Sequence, residues 1–555
     1  VDKDIAKLQT VFQEKGYLDS RVESTLKLSE DQANAFITFS VTEGPMYLVD
    51  SVIVKGNEFF SDDILFEDFK LRAGQSYSED KSRFDIRSIS RRYKEVGFID
   101  VRVRYRRTFT GAGKVLCEFD VVEGGRFRIG KIIITGNEAT HDNVIRHILD
   151  EEGFRPGQWY NAEIARGDET GELEKLIKRT VYTESAFIKP VGDKSDQRDA
   201  RINITEGQTG SVMLGAGVSS NRGLIGQLVF DQRNFDITDW PDSWKEFATG
   251  KAFKGAGQRF RISLEPGTRQ DAFSVSFTEP YLYDQAVSFN TTASLFERWQ
   301  ESHNEKRAKA YVGIEKRYDD DWRRGVAFRV ENVDVSDLDF DAPQEIRDIV
   351  GDTSLVGIRL SIRKDTTDSR FLPSRGYNFN SSFEQVGGDF TFSVVSATQR
   401  WYKTLYEDLA ERRTVLETKI RVASILGDAP AFEKFYAGGT GSIRGFDYRG
   451  VSTRGLQTGG VVDPQRKDPI GSDWLVTANA EVAIPLTTEV LSALFFVDTG
   501  IIDTGGVRAS IGTGLQIMLP QWFGPVPMRF EFAIPFMKDD NDETQVFSFT
   551  VGALF

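Results

Sequence analysis

The chain has 555 residues, a formal charge of -14 at pH 7 and a pI near 5.1; that length exceeds one ordinary domain, and the acidic excess withholds the basic face that nucleic acid requires. A single cysteine, Cys117, leaves no internal disulfide and no Cys-based zinc site. Mean hydropathy is -0.36 and no run of about 18 apolar residues exists, which excludes a bundle of transmembrane helices but not a β-barrel, whose apolar residues hide at every second position.

The N-terminus, Val1-Asp2-Lys3-Asp4-Ile5, has neither a basic start nor an apolar stretch, so it is read as a processed or truncated end. The next two hundred or so residues repeat themselves with a period of about 80 residues. Val54-Lys55-Gly56-Asn57 returns as Ile134-Thr135-Gly136-Asn137, and Thr42-Glu43-Gly44 returns as Val122-Glu123-Gly124 and Thr205-Glu206-Gly207. Lys15-Gly16-Tyr17-Leu18-Asp19 matches Val96-Gly97-Phe98-Ile99-Asp100 and, more loosely, Ser185-Ala186-Phe187-Ile188-Lys189.

Each unit reads as a strand ending in Gly-Asn, two helices and two more strands. In the middle unit Ile64, Leu65 and Phe69 suit a first helix, and Phe84, Ile86, Ile89, Tyr93 and Val96 a second, which Gly97 stops. Asp100 to Arg106 alternates as a strand with one wet face, and Cys117 falls in the alternating run 115–119 as a buried thiol. The expected domains are a partial repeat at 1–46 that lacks its first strand and helix, whole repeats at 47–125 and 126–207, and a different region at 208–555. The repeats resemble POTRA domains, the periplasmic modules of outer-membrane assembly and transport proteins; a generic spacer is the alternative.

Beyond about residue 210 strand alternation replaces helical spacing. Met528, Phe530, Phe532, Ile534 and Phe536 oppose Arg529, Glu531 and Ala533, and Leu491, Ala493, Phe495 and Val497 oppose Ser492, Phe496 and Asp498. The end does the same: Gln545, Phe547, Phe549, Val551, Ala553 and Phe555 share one face. A soluble sandwich would alternate too, but the length of the region, its aromatics near strand ends and the terminal Phe555 favour a transmembrane barrel. About 348 residues at roughly 20 to 23 per strand give about sixteen antiparallel strands. The fold class is therefore α+β repeats followed by an all-β barrel.

Ile237 to Phe247 interrupts the early barrel with Trp240 and Trp244. A short helix would set Trp240, Trp244 and Phe247 on one face, for the membrane interface, for bracing the last repeat or as a plug at the rim. Leu214-Gly215-Ala216-Gly217 loosens the first barrel strand, Ser211 to Ser219, and a weak seam is expected where it meets the last, Gln545 to Phe555. The glycines alternatively relieve crowding inside the barrel.

In Gly438 to Gly450 one arginine, Arg444, stands in a glycine-rich run. It cannot face lipid; folded into the lumen it needs an anion, which Asp498 and Glu481 could supply, whereas an exposed loop would leave it solvated. Phe435-Tyr436-Ala437-Gly438-Gly439 followed by Ile443-Arg444-Gly445-Phe446 resembles the loop-six signature of the BamA-type assembly family, with isoleucine in place of the usual valine. Phe371 to Gly376, Phe277 to Tyr281 and Phe495 to Gly500 fit the same family, so the resemblance spans nearly the whole chain. It implies that Arg444 docks on Asp498 and, less firmly, Glu481, and that the protein assembles outer-membrane barrels. Implied partners are unfolded barrel clients, accessory lipoproteins, periplasmic chaperones and outer-membrane lipids. A TamA-type factor or a two-partner secretion transporter would share the architecture, and a passive porin would not need the repeats.

No enzyme motif is found and no cofactor or metal is expected. His141, His147 and His303 have no metal-ligand spacing and read as surface or turn residues, Gly439-Thr440-Gly441 lacks a dinucleotide-binding context, and Gly250-Lys251 lacks the rest of a phosphate loop.

Overall fold

The structure, a computed structural model, describes residues 2–28, 35–111, 113–166, 171–248, 250, 252–318, 320–369, 372–408, 412–455, 468–487, 490–518 and 527–552, and divides into compact units at 1–207 and 208–555.

The first unit holds the repeats. A helix, Asp2–Glu14, precedes a hairpin of Arg21–Leu28 and Ala35–Thr42. Next come the strand Leu48–Lys55, the helices Asp62–Phe66 and Glu79–Glu95, and the strands Arg102–Gly111 and Lys114–Val122. The third repeat has the strand Arg128–Thr135, the helices Asp142–Glu151, Ala162–Ala165 and Glu172–Val181, and the strands Thr183–Val191 and Gln197–Glu206. In the second and third repeats the last strand is central, with the first beside it in parallel and the middle strand antiparallel at the other edge. Tyr77, Tyr93, Cys117 and Phe119 fill one core; Ile145, Leu149, Ile177 and Ile202 fill the next.

The recurring tripeptides have a common cause. Gly56 and Gly136 hold φ at +78° and +86°, and a Cβ there would lie 2.2 Å from the Val121 carbonyl or 2.0 Å from that of Ile204. The adjoining amides need acceptors, and the recurring glutamates supply them: Glu123 accepts from Phe59 N at 2.8 Å, and Glu206 from Thr140 N at 2.7 Å. Gly16 and Gly97 close helices, and their carbonyls accept from Tyr47 N and Phe127 N, the residues that open the next repeat.

Three local expectations change. The helix Asp62–Phe66 ends before Phe69, which is buried beyond it. In the third repeat Tyr182, at φ +55°, ends the helix, so Ser185 to Lys189 lies inside a strand rather than at a glycine turn. The strand expected from Asp100 begins only at Arg102, and it lies at a sheet edge.

The second unit is a closed antiparallel barrel of sixteen strands, from Gly210–Ser219 to Phe547–Gly552. Its outer rows are apolar and exposed: Val326, Phe328, Val330, Val356, Ile358 and Leu360 lie on neighbouring strands. Charges point inward and are buried, among them Arg329, Glu331, Glu384 and Asp498. Such a surface suits a medium without water, where backbone groups must be paired, and each strand is paired with both neighbours, only briefly so where the first meets the last. The short helix Trp244–Ala248 excludes Trp240, so the shared helical face does not form. His303 is buried at the fifth turn rather than exposed, and among the described residues no three His, Cys, Asp or Glu side chains form a metal site.

Candidate functional site

The connection from Arg413–Gly427, the eleventh barrel strand, to Trp474–Pro485, the twelfth, carries the glycine-rich run. Its backbone turns where side chains have no room: Gly438 holds φ +99°, and a Cβ there would sit 2.2 Å from the Asp447 carbonyl. The turns bring Arg444 to lumen-facing residues of the strands Trp474–Pro485, Leu491–Ile502 and Pro527–Met537.

Arg444 and Asp498 form a two-toothed fork, Nε to Oδ2 at 2.7 Å and Nη2 to Oδ1 at 2.8 Å, while the Arg444 amide donates to Oδ2 at 3.0 Å. Nη1 donates to Glu481 at 2.5 Å and to Glu531 at 2.9 Å. The guanidinium carbon lies 3.4 Å from the centre of the Phe496 ring. Arg529 donates to both Glu481 oxygens and lies 3.2 Å from Glu531, so three carboxylates share two guanidinium groups. Asp498 is fully buried and Arg444 nearly so. An uncompensated charge here would carry the whole cost of its lost hydration, so each member depends on the others.

Glu531, Arg529 and Phe496 were absent from the sequence-based site. Arg529 and Glu531 stand on the charged face of the 528–536 alternation, which marks them as inward but not as partners of Arg444. Phe496 breaks a polar inward row, a visible signal. Gly512 pairs with it across the sheet, and a Cβ there would lie 2.4 Å from the ring, so only glycine lets Phe496 lie flat beneath the arginine.

The other members of the motif pack on the opposite side. Ile443 and Phe446 are buried with Ala437, Val451, Leu475 and Ile502. Gly445 and Phe446 pair antiparallel with Gln545 and Thr544, and Asp447 N donates to the Glu543 carbonyl at 2.9 Å. The continuous final strand expected from Gln545 is therefore broken: 544–545 pairs with the loop, and the barrel strand begins at Phe547. The break arises because the loop's own strand pair competes for those amides. Farther along, Glu433 sits between Arg307 and Arg329 of the opposite wall, at 2.9 and 2.8 Å.

Where the barrel closes, Ser219, Val218 and Gly217 pair with Thr550, Val551 and Gly552, whereas the first strand pairs with the second, Gly223–Phe235, along its whole length. Leu214 and Ala216 are on the outer row, in register with Leu228 and Gly226; Gly215 and Gly217 alternate with them on the lumen row. Phe547 and Phe549 are in register with the outer-row residues Phe532 and Phe530. Phe555 lies outside the described residues. Asn221, in the turn after the first strand, donates to the Thr440 carbonyl at 3.3 Å, so the loop touches both flanks of the closure.

A family profile described as the Omp85 superfamily domain matches residues 253–555, more than half of the chain. The chain belongs to the Omp85 superfamily. A second profile of this Omp85 protein, POTRA, described as a surface antigen variable number repeat, matches 47–124 and 127–207. It is 24% identical to an outer membrane protein assembly factor BamA of Nitratidesulfovibrio vulgaris, over 100% of this chain and 68% of that one. It is 23% identical to the BamA of Neisseria meningitidis serogroup B, over 100% of this chain and 72% of that one. Among solved structures, BamA from Haemophilus ducreyi lacking POTRA domains 1-3 superposes with a TM-score of 0.56 at 20% identity, over 91% of this chain and 99% of that one. CdiB from Acinetobacter baumannii does so with a TM-score of 0.51 at 12% identity, over 92% and 90%. At those identities the two structures show the shared fold.

Proposed function

We propose that this Omp85 protein folds and inserts β-barrel proteins into the outer membrane, with its repeats in the periplasm receiving unfolded clients and its barrel closure serving as the template. The reading is supported by similarity, over the whole of this chain, to outer membrane protein assembly factors. The observation that carries the mechanism is the short closure flanked on both sides by one loop. A strand entering lipid must have its backbone groups paired, since each unpaired one costs several kcal/mol there. A seam held by few residues yields a free edge at low cost, and a client strand can take that edge by β-augmentation.

In this mechanism Arg444 is the anchor of a strap. Its fork on Asp498 fixes the loop, and the loop's pairing with Thr544 and Gln545 fixes the approach to the last strand. The edge strands Arg102–Gly111 and Thr183–Val191 offer backbone groups to extended polypeptide without reading its sequence. Accessory lipoproteins and chaperones act as partners on the periplasmic side, and no covalent chemistry is required.

A disulfide between Val218→Cys and Val551→Cys tests the seam. Assembly should stop on oxidation and resume on reduction while the barrel stays folded; full activity in the oxidised state would refute templating at this seam. Depletion in cells tests the broader reading: many barrels should disappear together, whereas loss of one exported protein would identify a secretion transporter.

A further inference from the structure

The connection between the second barrel strand, Gly223–Phe235, and the third, Lys254–Glu265, lies at the rim where the chain enters the barrel. Lipid-facing rings approach it from neighbouring strands. Phe289 and Phe277 lie 6.5 Å apart, Phe277 and Phe235 6.2 Å, and Phe235 and Phe260 5.4 Å. The series does not stop at the strands. Phe253, within the connection, stacks on Phe235 at 5.5 Å and 15°, and Trp240 meets the edge of Phe253 at 5.2 Å.

Phe253 reaches that position at φ +55°, a conformation that side-chain-bearing residues rarely hold. Hydrogen bonds on both sides enforce it. Its carbonyl accepts from Asp236 N at 3.0 Å, its amide donates to the Asp239 carbonyl at 2.9 Å, and the next amide, Lys254 N, donates to the Asp239 carboxylate at 3.1 Å. The root is fixed as well, because Ile237 N donates to the buried Gln258 side chain at 2.9 Å. This rigid root aims Trp240 along the outer aromatic row, where it is 72% exposed, with Trp244 beyond it at 78%.

We propose that residues 237–248 form an interfacial foot, which seats Trp240 and Trp244 in the headgroup region of the leaflet at this rim. The inference rests on the outer-membrane reading of the barrel. The occupant is lipid rather than protein because Trp240 continues a lipid-facing row ring by ring, and indole, apolar with one N–H donor, prefers the boundary between acyl chains and water. Asp242, Lys245 and Glu246 between and beside them suit the polar side of that boundary.

The test uses the full chain with Cys117→Ser, reconstituted into phosphatidylcholine vesicles and labelled with an environment-sensitive fluorophore at one new cysteine at a time. Label at Trp244→Cys should be quenched by lipid carrying a spin label near the headgroup, and should resist aqueous iodide several-fold better than label at Asp540→Cys on the opposite rim. Iodide quenching equal at both positions would overturn the proposal. Protection from iodide without quenching by spin-labelled lipid would also overturn it, and would place the segment on protein. Label at Ile358→Cys, on the outer row, separates the two readings: it must be quenched by lipid if the barrel is inserted at all. Adding Trp240→Ala and Phe253→Ala, with heat-modifiable gel migration to verify folding, should abolish the lipid quenching at position 244; retained quenching would show that the ring series does not position the foot.

Discussion

The two units of this chain solve opposite problems. In the repeats, Tyr77, Tyr93 and Phe119 are withdrawn from solvent and charges face outward; in the barrel, Phe328, Ile358 and Leu360 face outward while Arg329, Glu331 and Asp498 are withdrawn. Both obey one rule, which is that each surface matches its own solvent and buried charges are set against hydrogen-bond or ion-pair partners. The difference is where a substitution hurts.

The largest effect should come from the lumen. Asp498→Ala leaves Arg444 without its fork, and breaking a buried pair in this way costs about 3–5 kcal/mol. Assembly should be lost, with the barrel's gel-shift midpoint falling on heating, and Arg444→Lys should not restore activity because an ammonium cannot make the fork. A variant that kept full activity would remove the strap from the mechanism.

The repeats bury carboxylates too, Asp85 and Glu174, and Asp85 is sensitive to pH. Asp85 is completely buried and accepts hydrogen bonds from Lys70 N and Leu71 N, yet burial pushes its carboxyl up to about 7 from 3.8. Between those values the folded state holds a proton that the unfolded state releases. The contribution of Asp85 to the stability of the N-terminal unit should therefore be greatest below pH 4, fall as pH rises toward 7 and level off above; the linkage ceiling is ~4 kcal/mol. Urea denaturation across that range checks the slope. Asp85→Asn should flatten it, at the expense of one of the two hydrogen bonds.

A charge on the outer row sharpens the contrast between solvents. Ile358→Lys should cost about 2–4 kcal/mol in a bilayer, whereas Ile64→Lys, also at an exposed apolar position but in the repeats, should stay within about 0.5 kcal/mol. Refolding into vesicles against denaturant, beside unfolding of the soluble unit, measures both. Similar costs at the two sites would undo the assignment of the barrel surface to lipid. A change at a repeat turn falls between those two: Gly136→Ala meets the Ile204 carbonyl at φ +86° and should destabilise the third repeat by about 1–3 kcal/mol.

Legibility in the sequence followed periodicity. Inward and outward rows of the barrel could be read because a strand has a period of two, and the recurring Gly-Asn and Glu-Gly pairs marked the repeats. What periodicity cannot give is which inward residues meet. Arg444 and Asp498 were paired through a family resemblance, whereas Glu531, two strands away from Asp498, had no sequence mark tying it to the arginine. Tyr182 was missed because its positive φ belongs to a residue type that seldom adopts one. The last strand was read as continuous because alternation runs through Val546 unbroken, although the backbone changes partners there.

That change of partners constrains chain length rather than chemistry. Thr544 and Gln545 are held by the loop, and Phe547 begins the outer row one residue later, so Val546, whose carbonyl accepts from Ala533 N at 2.8 Å, is the point where the two fixed registers meet. One residue inserted at that point would rotate Phe547, Phe549 and Val551 into the lumen and present Ser548 and Thr550 to the acyl chains. Val546 should accordingly tolerate many side chains and no indels.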